Sequence, residues 1–304
     1  MKRVLLLLMT LAVAAADSWT PPAGTQQVPL WPAHSPVLAA GIRPLEDKEI
    51  LARKPITNVS TPTYTVFSPR QNPSGTCILI FPGGGHLSLA MGIEGVEVAR
   101  WLARSGITAV LVKYRVPYSG CYWDRRLKRN VTPAVPMALQ DAQRTISVIR
   151  SRAPELGINP KKIGVMGFSA GGNVAVLAST AFRQRAYPPG DDIDRVSCRP
   201  DFAIPIFAGH MLMTHKNIDS RALNSDIVVS KQVPPTLLIH AKDDPVNPVQ
   251  YSIVYAQALK YAGVPVRLQL YQHGGHAFGV RKQGTDSDRW PQDALSWLKS
   301  IGML

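Results

Sequence analysis

An α/β architecture, with a mostly parallel central sheet and helices on both faces, is predicted by three observations. Apolar runs of five or six residues recur along the chain without the polar alternation of a half-exposed strand. Segments with helical spacing separate several of them. The residues suited to chemistry fall just after the runs, at the carboxyl ends of the strands, where open α/β sheets gather ligands. At 304 residues and 45% hydrophobic content, the chain suits one large domain with a sizeable core and is unlike a disordered composition. No internal repeat or low-complexity block interrupts it.

The first residues read as a targeting segment. Lys2 and Arg3 precede an apolar run from Val4 to Val13, and Ala14-Ala15-Ala16 stands before Asp17. This pattern predicts a signal peptide over 1–16 and an exported protein, secreted or periplasmic. The run is too short for an ordinary membrane span, so no stable membrane insertion is expected. Without Lys2 and Arg3 the formal charge of +14 would become +12. Apart from Arg125-Arg126-Leu127-Lys128-Arg129 the basic residues are scattered, and no nucleic-acid motif accompanies them. Affinity for an acidic polymer or an anionic surface is the expected consequence.

From 17 to 55 the chain is rich in proline and weakly periodic, as in a segment that wraps the surface. Thr63 to Phe67 alternates like a strand, and Cys77 to Phe81 reads as a strand buried on both faces. Gly92 to Arg104 reads as a helix ended by Ser105-Gly106, followed by a strand over Ile107 to Val112. A polar, aromatic insertion near 117–136 separates it from a helix over Met137 to Arg152. Three further strands are expected over Phe202 to Phe207, Thr236 to His240 and Val266 to Tyr271, and a last helix over Gln292 to Ile301. Of the three cysteines, Cys77 is expected as a buried thiol, while Cys121 and Cys198 lie in loop-like sequence where a pairing stays open.

The run Lys162 to Phe168 ends in Gly167-Phe168-Ser169-Ala170-Gly171, and small-residue helical sequence follows from Asn173 to Phe182. Strand, sharp turn and helix with a serine at the apex is the arrangement that thrusts a hydroxyl clear of a sheet. Acyl transfer by serine also needs a base, an acid that orients it and donors for an oxyanion. Asp243 and Asp244 follow one later strand; His273 and His276 follow the next. Asp243, nearer the strand end, is expected to be the acid, with Asp244 serving the turn before Pro245. His276 is the expected base, because Gly274-Gly275 lets its loop reach back over the serine. The backbone N–H groups of Gly84, Gly85 and Ala170 are the expected oxyanion donors.

Pro82-Gly83-Gly84-Gly85, Gly167-Phe168-Ser169-Ala170-Gly171-Gly172, Asp243-Asp244-Pro245-Val246 and Gly274-Gly275-His276 together resemble the α/β-hydrolase superfamily. The similarity runs from about Thr63 to Leu304 and is nearest to secreted bacterial esterases related to acetylxylan esterases and to prolyl-oligopeptidase-type hydrolase domains. Glu94-Gly95 and Lys113-Tyr114-Arg115 also read like that branch, whereas Pro82 stands where lipase-like members often carry His. The resemblance implies an α/β-hydrolase catalytic domain over 56–304 that works without metal or organic cofactor. With the expected export and the basic charge, it points to a carboxylesterase acting on small acyl esters, acetyl above all, of plant cell-wall carbohydrate. The expected partner is thus an ester substrate, including an acetylated or acidic polysaccharide, and not nucleic acid. An exopeptidase using the same machinery and a non-catalytic binding module are the alternatives; the first lacks a gating propeller here, and the second has no missing catalytic residue to support it. His86, Trp123, Arg125 and Arg126 are the candidate substrate contacts, with Trp123 either stacking on a sugar ring or packing the insertion onto the body.

Overall fold

The computed structural model describes residues 19–39, 55–57, 59–116, 136–212 and 222–304, and the backbone of 122–124 and 129–131. The expected signal peptide, Cys121, Arg125 and Arg126 lie outside the described residues. In chain order the strands are β1 (Val28–Pro29), β2 (Ile56–Thr57), β3 (Thr63–Phe67), β4 (Cys77–Phe81), β5 (Ser88–Leu89), β6 (Thr108–Lys113), β7 (Tyr122–Asp124), β8 (Arg129–Val131), β9 (Ile163–Phe168), β10 (Phe202–Ile206), β11 (Thr236–Ala241) and β12 (Val266–Tyr271). The helices are α1 (Pro36–Ala39), α2 (Glu97–Arg104), α3 (Pro136–Ser151), α4 (Ala170–Thr180), α5 (Gln250–Tyr261) and α6 (Trp290–Ser300).

Eight strands form one sheet in the order β1-β3-β6-β4-β9-β10-β11-β12. The pairs from β6 to β12 are parallel; β1–β3 and β3–β6 are antiparallel. The expected α/β class is observed. Every residue of β4, β6, β9, β10 and β11 is buried, which is why these strands read as unbroken apolar runs. β12, at the edge, buries only Tyr271 fully.

The connectivity positions the site. From β4 the chain moves outward to β6, then crosses back to β9 on the other side of β4. β4 and β9 are therefore adjacent where the strand order reverses, with Phe81 beside Gly167. A crevice at the carboxyl ends of two such strands is the usual ligand position in this class of sheet.

Several expectations are refined. The helix read over Gly92 to Arg104 begins as a wide π turn, Met91–Val96, and becomes α-helical only at Glu97. The insertion contains a two-stranded ribbon, β7 paired with β8. Within 17–55, the described part does more than lie on the surface. β1 extends the sheet, and buried Trp31 donates its indole N–H to Asp141 at 2.7 Å. Asp141 in turn binds the buried guanidinium of Arg115, so the N-terminal segment is tied to an internal ion pair. Cys77 and Cys198 are free, buried thiols. Among the described residues no helix is long and apolar enough to cross a membrane.

Two glycines let β9, the serine turn and α4 meet. A Cβ on Gly167 would lie 2.0 Å from the Gly171 carbonyl oxygen, and one on Gly171 would lie 1.9 Å from that of Phe81. Backbone cannot yield as a side-chain tip can, so Gly167→Ala and Gly171→Ala should each cost about 3 kcal/mol or more. Gly92, with open space around it, should tolerate alanine within about 0.5 kcal/mol. Urea midpoints check this; equal effects at all three positions would refute the packing account.

Candidate active site

Ser169 links β9 to α4 and holds φ 51° and ψ −117°, outside the regions that residues with a Cβ favour. Its backbone is tied on both sides. The Ser169 N–H donates to Ile206 O at 3.0 Å, and its carbonyl accepts from Gly209 N at 2.9 Å and Asn173 N at 3.2 Å. The turn is thus anchored to the end of β10 as well as to its own helix.

His276 reaches back from the loop after β12. Its Nε2 lies 3.1 Å from Ser169 Oγ, and its Nδ1 lies 2.7 Å from Asp244 Oδ2. The side chain is largely buried, with the Phe207 ring against it at 4.8 Å between centroids. His276, the expected base, thus lies beside Ser169, whereas His273 is exposed.

The expected choice of acid is corrected: Asp244, not Asp243, meets His276. One carboxylate serves both the turn and the imidazole. Asp244 Oδ1 accepts from Val246 N at 2.8 Å and Asn247 N at 2.9 Å, the turn role foreseen for it. That same turn directs Oδ2 inward to His276 and to within 3.3 Å of His240 Nε2. His240 is itself held between Asn247 O at 3.0 Å and the Ser252 hydroxyl at 2.8 Å. Asp243 points to the backbone instead, accepting from Gly275 N at 2.8 Å and Gly274 N at 3.0 Å. It fixes the loop that carries His276 without touching the ring.

Burial opposes the charge on Asp244. Hydrogen bonds from His240, His276 and the Asn247 N–H outweigh it and hold the carboxyl well below the usual carboxylate range.

Facing the serine is the turn after β4. Gly83 is buried, and a Cβ there would sit 2.9 Å from Ser169 Cβ; Gly84 and Gly85 are half-exposed and take φ 139° and 64°. The Gly83 N–H is engaged by Glu94 Oε2 at 2.7 Å; the next two N–H groups of the turn belong to Gly84 and Gly85. Carbonyl anchors set their direction. Gly83 O accepts from Ala90 N at 2.9 Å, and Gly84 O accepts from Leu87 N and Ser88 N, both at 3.0 Å. In a trans peptide each following N–H points the opposite way.

The remaining candidates stand differently. The expectation that His86 contacts substrate is corrected: its ring is wholly buried and packs on His210, with centroids 4.9 Å apart. Burial, together with the neighbouring His210, holds it well below the usual histidine range. Trp123 falls on β7, and Arg125 and Arg126 lie outside the described residues. Sequence reasoning missed Glu94, Tyr114, His240 and Asn247 as parts of the site. Glu94 and Tyr114 stand in segments it singled out, but nothing local signals that their polar tips turn inward. Among the described residues no three His, Cys, Asp or Glu side chains converge as metal ligands would.

Residues 132–280 match the family model for the alpha/beta hydrolase fold. The chain is 31% identical to the acetyl ester-xyloside bifunctional hydrolase from Caldicellulosiruptor lactoaceticus. That crystal structure matches with a TM-score of 0.69 over 92% of this chain and 97% of that one. An acetylxylan esterase of Xylanibacter ruminicola is 30% identical over 250 residues, 76% of this chain and 47% of that protein. Endo-1,4-beta-xylanase B of Butyrivibrio fibrisolvens is 26% identical over 221 residues, 67% of this chain and 32% of that protein. The chain thus spans about half of the first curated relative and a third of the second. It belongs to the α/β-hydrolase family.

The Asp244 network carries a pH signature. Its folded-state value lies below the unfolded one, so its stabilisation is complete above about pH 3.9 and is lost as pH falls further. Asp244→Asn should therefore unfold at lower urea than wild type at pH 7, with the gap narrowing below about pH 4. A gap that stays constant or widens in acid would contradict the assignment.

Proposed function

We propose that the protein is a serine carboxylesterase that removes small acyl groups, acetyl above all, from plant cell-wall carbohydrate. The observation that carries this reading is the continuous chain Asp244–His276–Ser169, with links of 2.7 and 3.1 Å, beside a glycine turn at the sheet's switch point. The carbohydrate part rests on the relatives, whose names include an acetylxylan esterase and an acetyl ester-xyloside hydrolase. Export rests on the N-terminal pattern of Lys2, Arg3, the apolar run and Ala14 to Ala16.

In the proposed reaction Ser169 Oγ attacks the ester carbonyl while its proton passes to His276 Nε2. Asp244 stabilises the imidazolium through Nδ1 and keeps the ring in the tautomer that accepts at Nε2. The carbonyl oxygen becomes an oxyanion held by the N–H groups of Gly84, Gly85 and Ala170. As the intermediate collapses, His276 returns the proton to the departing alcohol, leaving an acyl group on Ser169. Water then attacks this acyl-enzyme with His276 again as base, and the carboxylic acid leaves. Trp123, Arg125 and Arg126 are proposed to act on the alcohol side, a reading drawn from the sequence of the insertion.

Ser169→Ala and His276→Ala should lower kcat on p-nitrophenyl acetate by more than about a thousandfold without unfolding the protein. Asp244→Asn should lose about a thousandfold or more, and Asp243→Asn less than about tenfold. Reversed penalties for the two aspartates would refute the proposed acid. On the substrate side, release of acetate from acetylated xylan should be readily detected. Turnover of simple esters with none from acetylated xylan or acetylated sugars would leave an esterase and remove the carbohydrate reading.

A further inference from the structure

Glu94 is a buried carboxylate beside the proposed nucleophile, and the reaction above gives it no part. It lies in the π turn that precedes α2, only 3% exposed. A Cβ built on Gly83 would meet Glu94 Oε2 and Phe168 O at 2.7 Å and Ser169 Cβ at 2.9 Å. Carboxylate, glycine turn and serine are thus packed against one another.

The bond it makes is to a peptide unit held from both ends. Glu94 Oε2 accepts the Gly83 N–H at 2.7 Å. The buried hydroxyl of Tyr114 donates to the Pro82 carbonyl oxygen at 2.6 Å. That N–H and that carbonyl belong to the same Pro82–Gly83 peptide plane, so an acceptor and a donor from two separate elements fix its rotation. The next two peptides carry the Gly84 and Gly85 N–H groups; their carbonyls are anchored to Ala90, Leu87 and Ser88, and the first plane fixes where that run of peptides begins.

We propose that Glu94 is a positioning residue: with Tyr114 it locks the Pro82–Gly83 peptide and thereby aims the Gly84 and Gly85 N–H groups at the oxyanion. This inference rests on the esterase reading for its kinetic consequence, but the bond itself has an independent readout. The titratable groups facing Glu94 are His276 and Tyr114. Burial, only partly offset by the Gly83 N–H and His276, pushes its carboxyl up to about 7. The Gly83 amide therefore has a neighbour that titrates within an accessible range.

Two measurements decide the matter. In steady-state hydrolysis of p-nitrophenyl acetate, Glu94→Ala should lower kcat by about 100-fold, because the donors act on the transition state. KM should stay within about threefold. Glu94→Gln, whose amide oxygen still accepts the Gly83 N–H, should recover most of the loss, and Tyr114→Phe should lower kcat in the same pattern as alanine at 94. In the catalytically silent Ser169→Ala protein, the Gly83 amide proton resonance should move with a midpoint near pH 7. Adding Glu94→Gln should abolish that movement. A merely structural role would lower thermal stability without the kcat-specific loss and without rescue by glutamine. The proposal is overturned if Glu94→Gln is as impaired as Glu94→Ala, or if the Gly83 resonance ignores both pH and the substitution. Should wild type hydrolyse no ester, the esterase reading falls, and the Gly83 resonance still decides whether Glu94 orders the turn.

Discussion

The left-handed backbone at Ser169 is the constraint on which the rest depends. A non-glycine residue in such a region costs about 1–3 kcal/mol and persists only where its surroundings over-determine it. Here β9 enters buried along its whole length and α4 leaves buried along its whole length; Gly167 removes the side chain that would separate them, and Gly171 the one that would hold α4 off the end of β4. The Ser169 N–H donates to Ile206 O and its carbonyl accepts from Gly209 N, which fastens the apex to the end of β10 and the loop after it. That backbone sets the hydroxyl where the carboxyl-end loops of β4, β11 and β12 come together.

Around that point the polar groups are arranged in tiers. Asp244 meets the imidazole, His240 and the Asn247 amide secure Asp244, and Ser252 secures His240. Asp243 holds the backbone of the histidine loop from outside. On the opposite flank Glu94 and Tyr114 grip the glycine turn. Buried polar groups are tolerated when their partners are supplied, and the positions of atoms that must agree within tenths of an ångström are fixed this way.

The fold was legible because burial on both sheet faces writes itself as unbroken apolar sequence, as in Cys77 to Phe81 and Ile163 to Phe168. The serine turn was legible for a different reason: its glycines are demanded by backbone contacts under 3 Å, which leave no freedom of composition. The acid was not. Asp243 and Asp244 are adjacent, and local rules rightly gave the turn to Asp244. Sequence does not reveal that a carboxylate has a second oxygen aimed elsewhere, a fact set by where the β12 loop arrives. Glu94-Gly95 was legible as a likeness only, because its role depends on the carboxylate turning inward to the Gly83 N–H, a contact between separate segments. Trp31, within a proline-rich stretch, gave no sign that it would bind Asp141, since the partner is 110 positions away.

Covalent labelling decides whether Ser169 is the nucleophile of an ester hydrolase. The protein would be treated with an alkyl fluorophosphonate, its residual esterase activity followed, and the modified residue located by peptide mass spectrometry. A nucleophilic Ser169 should take a single phosphonyl group on Oγ as fluoride leaves, with activity lost in proportion to labelling and no reaction in Ser169→Ala. Stoichiometric labelling at another residue, or full activity in a protein labelled on Ser169, would contradict it.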